Sequence, residues 1–526
     1  RTAVLNDSLV SQIRHEQLGE QSKLYWRKMT RDFFAQAIEA SFLAGDHNLA
    51  FFFMERSRSV LLQDKLNELG ARALLPPEKT SALEKQQIQM IELQQKMLAF
   101  PDTSAQFRKL RIQLLQTKDN LEQQIKSMEI LYPAYYQYKY AENVKSLKSL
   151  QDYLKKKGQS FIEYFIQDSS SFALCVTPDK TSFIRMNNAT GNLETFLMHY
   201  IHSCSDENTL NKDFSSFLTN SHQLYNTLFS PFSLQPGRVV ICQDNNLVPF
   251  ETLTQTASGR DFLIYNYSFS YVYSAQFLMN PYNESTGKGD FLGIAPVKFA
   301  AYKDLPDLNN SDVALKQCSD SYHRKKLLLF KDASRENFMR QLSFYSTATI
   351  LTHAIADSTD NEPTIFMSDS AIRLSELQML NKTASSLIVL SACQTNAGRS
   401  LTGEGVYSLA RGFSAVGIPA VAATQWVADN RAIYIISEKF NQLIAGGMNK
   451  DEALQKAKLF YIQNGEKGNI LPYYWADLIL IGNSDPIHFS TGYKTNWLLI
   501  TSVIAVVVLL VLFLIMKKKR QLRRTI

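Results

Sequence analysis

The stretch "LIVLSACQTNAG", residues 387–398, decides the fold. Leu387, Ile388, Val389 and Leu390 form a short, continuous apolar run, the pattern of a strand buried on both faces. Two small residues follow, then Cys393, and polar and turn-forming residues begin at once. Reactive groups in open parallel sheets gather just beyond the carboxyl ends of the strands. A thiol in that place is a candidate for chemistry.

Working outward, similar runs recur: "RVVICQD" (238–244), "FLGIAPV" (291–297), "TATILTHA" (347–354), "SLIVLSAC" (386–393) and "PAVAATQWV" (419–427). Helical segments separate most of them. Apolar strands alternating with helices predict a parallel-sheet core covered on both faces, an α/β architecture.

The run "TILTHAIAD" places His353 at a strand tip, forty residues before Cys393. That interval holds a loop, a short helix ("LSELQML", 374–380) and a return strand. If the two strands are neighbours, imidazole and thiol face each other above the sheet. A nearby imidazole lowers the thiol pKa or takes its proton, then protonates a leaving amine. The attacked carbonyl becomes an oxyanion that needs backbone N–H donors, available from Cys393 and from Ala354 in the turn after His353. By spacing alone the pair is one of several, since the chain has eight His and five Cys.

Upstream the texture is helical. Residues 22–131 carry helical periodicity nearly throughout, with a break at Gly45–Asp46 and a turn at "FPDTS" (100–104). Tyr25, Phe33, Ala37, Ala40 and Ala50 give a large–small alternation that loosely resembles a terminal tetratricopeptide unit. One unit cannot bury its own face, so further repeats are expected upstream of Arg1. Leu83, Met90 and Met97, then Phe107, Leu110, Leu114, Leu121, Ile125 and Met128, mark a long antiparallel hairpin. The expected division is a helical region over 1–146, a first α/β half over 147–300 and a second over 301–490.

Composition narrows the function classes. Hydrophobic content of 45% with 20% charged residues is that of a globular chain. The net charge of +7 is concentrated in the last ten residues, "KKKRQLRRTI", which hold six of the 56 Lys and Arg and leave 50 against 49 acids elsewhere. A nucleic-acid surface is therefore not expected. The five cysteines are an odd number without CxxC or Cys/His clustering, which argues against a disulfide framework and a zinc site; no metal or cofactor is expected.

Before that tail, Trp497–Met516 reads "WLLITSVIAVVVLLVLFLIM", uncharged, with only Thr501 and Ser502 polar. Twenty helical residues span about 30 Å, the thickness of a bilayer's hydrocarbon core. A single transmembrane helix over 497–516 is expected, with the basic tail 517–526 cytoplasmic. The rest of the chain is then extracytoplasmic if a signal peptide lies upstream, and cytosolic if the span is a tail anchor.

The flanks of the opening stretch carry a family resemblance. "LSACQTNAG", "GEGVYSLARGFSAVGIPAVAATQWVADN" and "PYYWADLILIGN" occur in order, after "LYNTLFSPF", "VVICQDNNLVPFETL" and "FLGIAPVKF". Together they resemble the CHAT family of caspase-like, tetratricopeptide-associated cysteine proteases, over roughly residues 150–490. The resemblance implies the caspase, separase and gingipain fold group. It also implies a catalytic dyad of His353 and Cys393, a protein or peptide substrate, and a protein partner for the helical repeats. Family members commonly carry Gly where this chain has Ala354. The alternative function is a catalytically inactive caspase-like scaffold or signalling protein.

Four residues are candidates for a substrate pocket: Asp357, Glu404, Trp426 and Asp429. Three have a second reading. Glu404 also fits a first-turn acid of the helix that follows it, Trp426 a core residue, and Asp429 the cap of the helix "NRAIYIISEKF". His323, His488, His199 and His202 lack companion motifs, and Cys175 and Cys242 read as core thiols within strands. "GNLETF" and "STGKGD" lack a phosphate-loop pattern.

Overall fold

Apolar runs of five to seven residues have nowhere to hide their backbone polar groups except in a ladder with one another. In the computed structural model they build one sheet. It describes residues 2–489 apart from 17–19, 59, 99, 142–143, 168–169, 187–191, 245–246, 281–286, 300–301, 303–304, 356–362, 378–383, 392–398, 402–404, 428 and 465–469. Cys393, Asp357, Glu404 and the span 497–516 lie outside the described residues.

Eight helices come first: α1 (Thr2–Glu16), α2 (Glu20–Leu43), α3 (His47–Arg56), α4 (Val60–Ala71), α5 (Pro77–Leu98), α6 (Ala105–Leu131), α7 (Pro133–Lys139) and α8 (Leu147–Lys157). Gly45, at φ +67°, ends α2, and the Asp46 carboxylate starts α3 by accepting from Leu49 N at 2.9 Å. Phe34, Ala37, Ile38, Ala50, Phe53 and Met54 fill this hairpin. Tyr25 and Ala40, expected to pack, are exposed, because the buried face follows positions 34, 37, 38 and 41. In the second hairpin Ser104 caps α6, and Leu83, Leu121 and Met128 pack with Ala71, Leu75 and Tyr135.

The strands follow in chain order: β1 (Gln159–Phe165), β2 (Ser171–Val176), β3 (Thr181–Met186), β4 (Gly237–Cys242), β5 (Tyr267–Val272), β6 (Gly289–Ala295), β7 (Lys325–Leu329) and β8 (Tyr345–Leu351). Then come β9 (Ala354–Ile355), β10 (Thr364–Phe366), β11 (Ala371–Arg373), β12 (Leu387–Ser391), β13 (Arg399–Leu401), β14 (Gly405–Tyr407), β15 (Ala420–Thr424) and β16 (Leu478–Gly482). Among the described residues eleven strands form one sheet in the order β3-β2-β1-β4-β5-β16-β15-β12-β8-β6-β7. A small sheet holds β9, β10 and β11, and β13 pairs with β14.

The pairing corrects the expected all-parallel core. β1, β4, β5 and β16 are mutually parallel, as are β15, β12, β8, β6 and β7, but β15 and β16 pair antiparallel. β2 is also antiparallel to both its neighbours. The sheet is thus mixed and mostly parallel, with two blocks facing opposite ways. A fully buried strand such as β16, "LILIG", has the same apolar pattern in either direction, so periodicity could not reveal the reversal. β6 falls in the expected first half, 147–300, yet it pairs with β7 and β8 and belongs to the second block. Counted in chain order, the five strands of that block run 2-1-3-4-5, with β16 of the first block antiparallel beside the fifth.

Among the described residues no helix is long and apolar enough to cross a membrane.

Candidate functional site

β8 and β12 are adjacent and parallel, and Leu351 stands opposite Ser391. Two residues beyond Leu351 comes His353; two residues beyond Ser391 the chain reaches Cys393. The neighbouring relationship on which a dyad depends therefore exists in the sheet. β12 is held in depth: Leu387 to Leu390 are buried, and Ser391 Oγ lies 2.9 Å from Ser437 Oγ of the helix Asn430–Ala445.

His353 is half-buried and tightly oriented. Its Nε2 lies 2.7 Å from the Pro306 carbonyl, and its ring meets Phe299 edge-on at 4.6 Å. A carbonyl oxygen can only accept, so Nε2 carries the proton and the neutral ring's Nδ1 is left as the basic nitrogen. Phe299 and Pro306 both belong to the loop after β6. That loop begins with a strained turn: Val297, buried, has φ +63°, and Lys298 N donates to Pro296 O at 2.6 Å. A β-branched residue at positive φ costs on the order of 1–3 kcal/mol and persists only where its surroundings hold it. Here Leu308 N donates to Val297 O at 2.8 Å.

The segment after β8 is anchored from the other side. Phe366 N donates to His353 O at 3.0 Å, Thr352 Oγ1 donates to Phe366 O, and Ala354 pairs with Ile365. Backbone groups on an antiparallel strand alternate in direction, so His353 turns its carbonyl toward β10 and Ala354 turns its N–H away. Among the described non-glycine residues, positive φ occurs at Ser233, Val297, Asn310 and Phe330; Ala354 is an ordinary strand residue. Tyr302 packs edge-on against Phe366 at 5.0 Å, closing the loop over the small sheet.

The next strand end, after β15, carries Gln425, Trp426 and Val427. Trp426 is buried and its Nε1 donates to Tyr473 O at 3.0 Å; Tyr473 OH donates to Val427 O at 3.1 Å. Asp477 Oδ1 accepts from Gln425 N at 2.8 Å and from Trp426 N at 2.9 Å. Burial pushes the Asp477 carboxyl up to about 7, against the lowering pull of those two amides and of Lys458. Trp426 thus takes its core reading. Asp429 caps the helix Asn430–Ala445, accepting from Ala432 N at 2.9 Å. His199, His202, His323 and His488 are exposed, and Cys175, Cys204, Cys242 and Cys318 are buried free thiols.

Sequence reasoning missed Phe299, Pro306 and Asp477. Phe299 and Asp477 lie inside quoted motifs, "FLGIAPVKF" and "PYYWADLILIGN", which was the available signal. The Pro306 contribution is a backbone carbonyl and has no side-chain signature.

The CHAT domain profile matches residues 219–483, half of the chain. The chain belongs to the CHAT-domain family. Its core is the mixed α/β arrangement described above, of caspase-like type. Among solved structures it is similar to the Arg-specific cysteine proteinase gingipain R (RgpB), at 12% identity over 54% of this chain and 69% of that one, with a TM-score of 0.35. It is also similar to the Porphyromonas gingivalis complex of RgpB pro- and mature domains, at 12% identity over 56% and 77%, with a TM-score of 0.34. A third similarity is to the Saccharomyces cerevisiae separase–securin complex, at 9% identity over 89% of this chain but 38% of that one, with a TM-score of 0.46. Among curated proteins none matches the chain.

Proposed function

We propose that this CHAT-family chain is a cysteine endopeptidase with His353 and Cys393 as its dyad. The observation that carries the reading is the Leu351–Ser391 register, which ends two adjacent parallel strands in step, two residues before the imidazole and the thiol. Family membership supports it. In the proposed reaction His353 Nδ1 takes the thiol proton, and the Cys393 sulfur attacks the scissile carbonyl to form a tetrahedral oxyanion. The amide C–N bond then breaks as the imidazolium returns the proton to the leaving amine. Water, deprotonated by the same nitrogen, hydrolyses the thioester and releases the thiol. The backbone N–H groups of Ala354 and Cys393 are the proposed oxyanion donors, and the outward-facing N–H of Ala354 fits that role. Asp357, Glu404, Trp426 and Asp429 are the proposed pocket residues, the last two also having the structural roles described above.

Cys393→Ala is the test. Peptide cleavage falls to background while Tm is retained; undiminished cleavage by a folded mutant rejects the assignment, and an equally inactive wild type favours the scaffold alternative.

The proposal includes anchoring by 497–516, with the tail 517–526 on the cytoplasmic side and the helical repeats engaging a protein partner. A chain ended at residue 496 should leave the membrane fraction in which the full chain sediments.

A further inference from the structure

The two blocks of the sheet point opposite ways, so the strand ends of the first block form a second edge far from His353. Ligands favour such ends. There Glu163 of β1 and Cys242 of β4 are register partners, both fully buried, with Asp244 two residues on. The place is filled from the helical region. Arg58, in the turn between α3 and α4, is 4% exposed. Its Nε lies 2.9 Å from Glu163 Oε1 and donates to Met54 O at 3.1 Å; Nη1 donates to Cys242 Sγ at 3.2 Å and Nη2 to Tyr164 O at 2.8 Å.

Two further charges accompany it. Arg31 of α2 pairs with Asp244, donates to Ile166 O at 3.0 Å and lies over the Phe165 ring at 3.9 Å. Glu55 of α3 accepts the N–H groups of Ala275 and Gln276, each at 2.8 Å, just after β5. Ligand atoms of Glu55, Glu163 and Cys242 lie within 4.8 Å of one another, a grouping that would suit a cation. The Arg58 guanidinium already supplies that positive charge.

We propose that the carboxyl ends of β1 and β4 form a guanidinium socket, and that Arg58 is its in-chain ligand, docking the helical region onto the first block of the sheet. Shape decides the ligand class. The planar fork donates to two carbonyls and a sulfur from one side chain while lying against the Glu163 carboxyl. An ammonium offers its donors from a single point and cannot span those acceptors. The socket does not depend on peptidase activity.

Charge closes the cluster with one proton. Facing one another are Arg31 from α2, Glu55 from α3, Arg58 from the turn, Glu163 from β1, Cys242 from β4 and Asp244 beyond it. Two cations meet three carboxyls, and burial keeps the Cys242 thiol neutral. Burial also raises the Glu163 carboxyl well above its usual range, and Glu55 less so. Glu55, which accepts two backbone N–H groups, is the ionised member, and Glu163 holds the proton. A carboxyl raised in the fold stabilises it while protonated, and that stabilisation is lost as pH rises through its folded-state pKa. Docking therefore weakens as pH rises above the ordinary carboxylate range.

The experiment is chemical rescue. Arg58→Ala and Arg58→Lys are compared with wild type by Tm and by amide exchange over Ala275–Leu278, referenced to β6. Both variants should lose about 3–5 °C in Tm and exchange at least about tenfold faster at 275–278. N-ethylguanidinium, far below denaturing concentrations, should restore the alanine variant, and ethylammonium should not. Wild-type behaviour of Arg58→Lys, or a folded Arg58→Ala indifferent to ethylguanidinium, overturns the proposal. If Arg58→Ala does not fold, Glu163→Gln decides. Wild type should exchange faster at 275–278 at pH 9 than at pH 5 after correction for intrinsic base catalysis, and Glu163→Gln should not. Identical pH responses refute the socket.

Discussion

Leu351 and Ser391 stand side by side on parallel strands, so β8 and β12 leave the sheet in step. Two residues beyond Leu351 comes His353, and two residues beyond Ser391 in sequence comes Cys393. His353 is held with Nε2 on the Pro306 carbonyl and its ring in an edge contact with Phe299. An imidazole fixed in one tautomer pays little reorganisation when it takes up a proton at Nδ1.

Loss of that imidazole should be graded, not total. His353→Ala removes the general base but leaves the thiol and the proposed oxyanion donors, so cleavage should fall by about 10²–10⁴-fold. Because a half-buried rim side chain is removed, Tm should move little. Steady-state kinetics beside Cys393→Ala, with Tm as control, check this. Equal rates for His353→Ala and wild type would remove His353 from the mechanism.

Thiol reactivity offers a check that needs no substrate. Burial raises Cys175 and Cys204 to about 12 and pushes Cys242 and Cys318 up as well. All four are starved of thiolate near neutral pH. Iodoacetamide at pH 7 should therefore modify Cys393 first, and His353→Ala should slow that modification. Peptide mapping by mass spectrometry reads both. Five equal rates would favour the scaffold alternative.

Ala354 stands where the family resemblance leads one to expect Gly, but it occupies an ordinary strand conformation. Nothing there requires the freedom of glycine. Ala354→Gly should leave kcat/KM within about twofold of wild type while lowering stability by about 0.5–1 kcal/mol. A large gain in activity would mean that the alanine methyl obstructs the oxyanion.

How far the sequence could be read depended on where the information lay. β4, β6, β8, β12 and β15 each fall within three residues of an apolar run legible by eye, because burial on both faces forces that pattern. Strand direction has no such imprint, and β16 reversed unseen. His353 and Cys393 could be nominated from the sequence because side chains would carry their chemistry. The Pro306 carbonyl was not, since any residue supplies one. Arg58 was also missed: within "ERSRS" it reads as a solvated helix end, and only the fold buries it beside Glu163. Trp426 and Asp429 had two readings each; Trp426 donates to Tyr473 O and Asp429 accepts from Ala432 N, as their structural readings require.

Asp477 ties the segment after β15 to the start of β16, and it should leave a signature in stability against pH. Its Oδ1 accepts from Gln425 N and Trp426 N, while Oδ2 is buried without a hydrogen-bond partner among the described residues. Burial raises the carboxyl from 3.8 to about 7. Below pH ~4 both folded and unfolded chains hold the proton and no penalty arises. Between ~4 and ~7 the unfolded chain releases it first, so stability falls as pH rises, by on the order of 4 kcal/mol in total. Asp477→Asn keeps the Oδ1 acceptor and removes the charge. It should therefore match wild type near pH 4, exceed it at pH 8, and flatten the curve between. Asp477→Ala strands the Trp426 N–H and should cost about 1–3 kcal/mol even at low pH. Denaturant melts of the three proteins from pH 4 to 8 separate these outcomes. Parallel curves for wild type and Asp477→Asn would show that Asp477 is already ionised in the fold, and that the loop carrying Trp426 tolerates a buried charge.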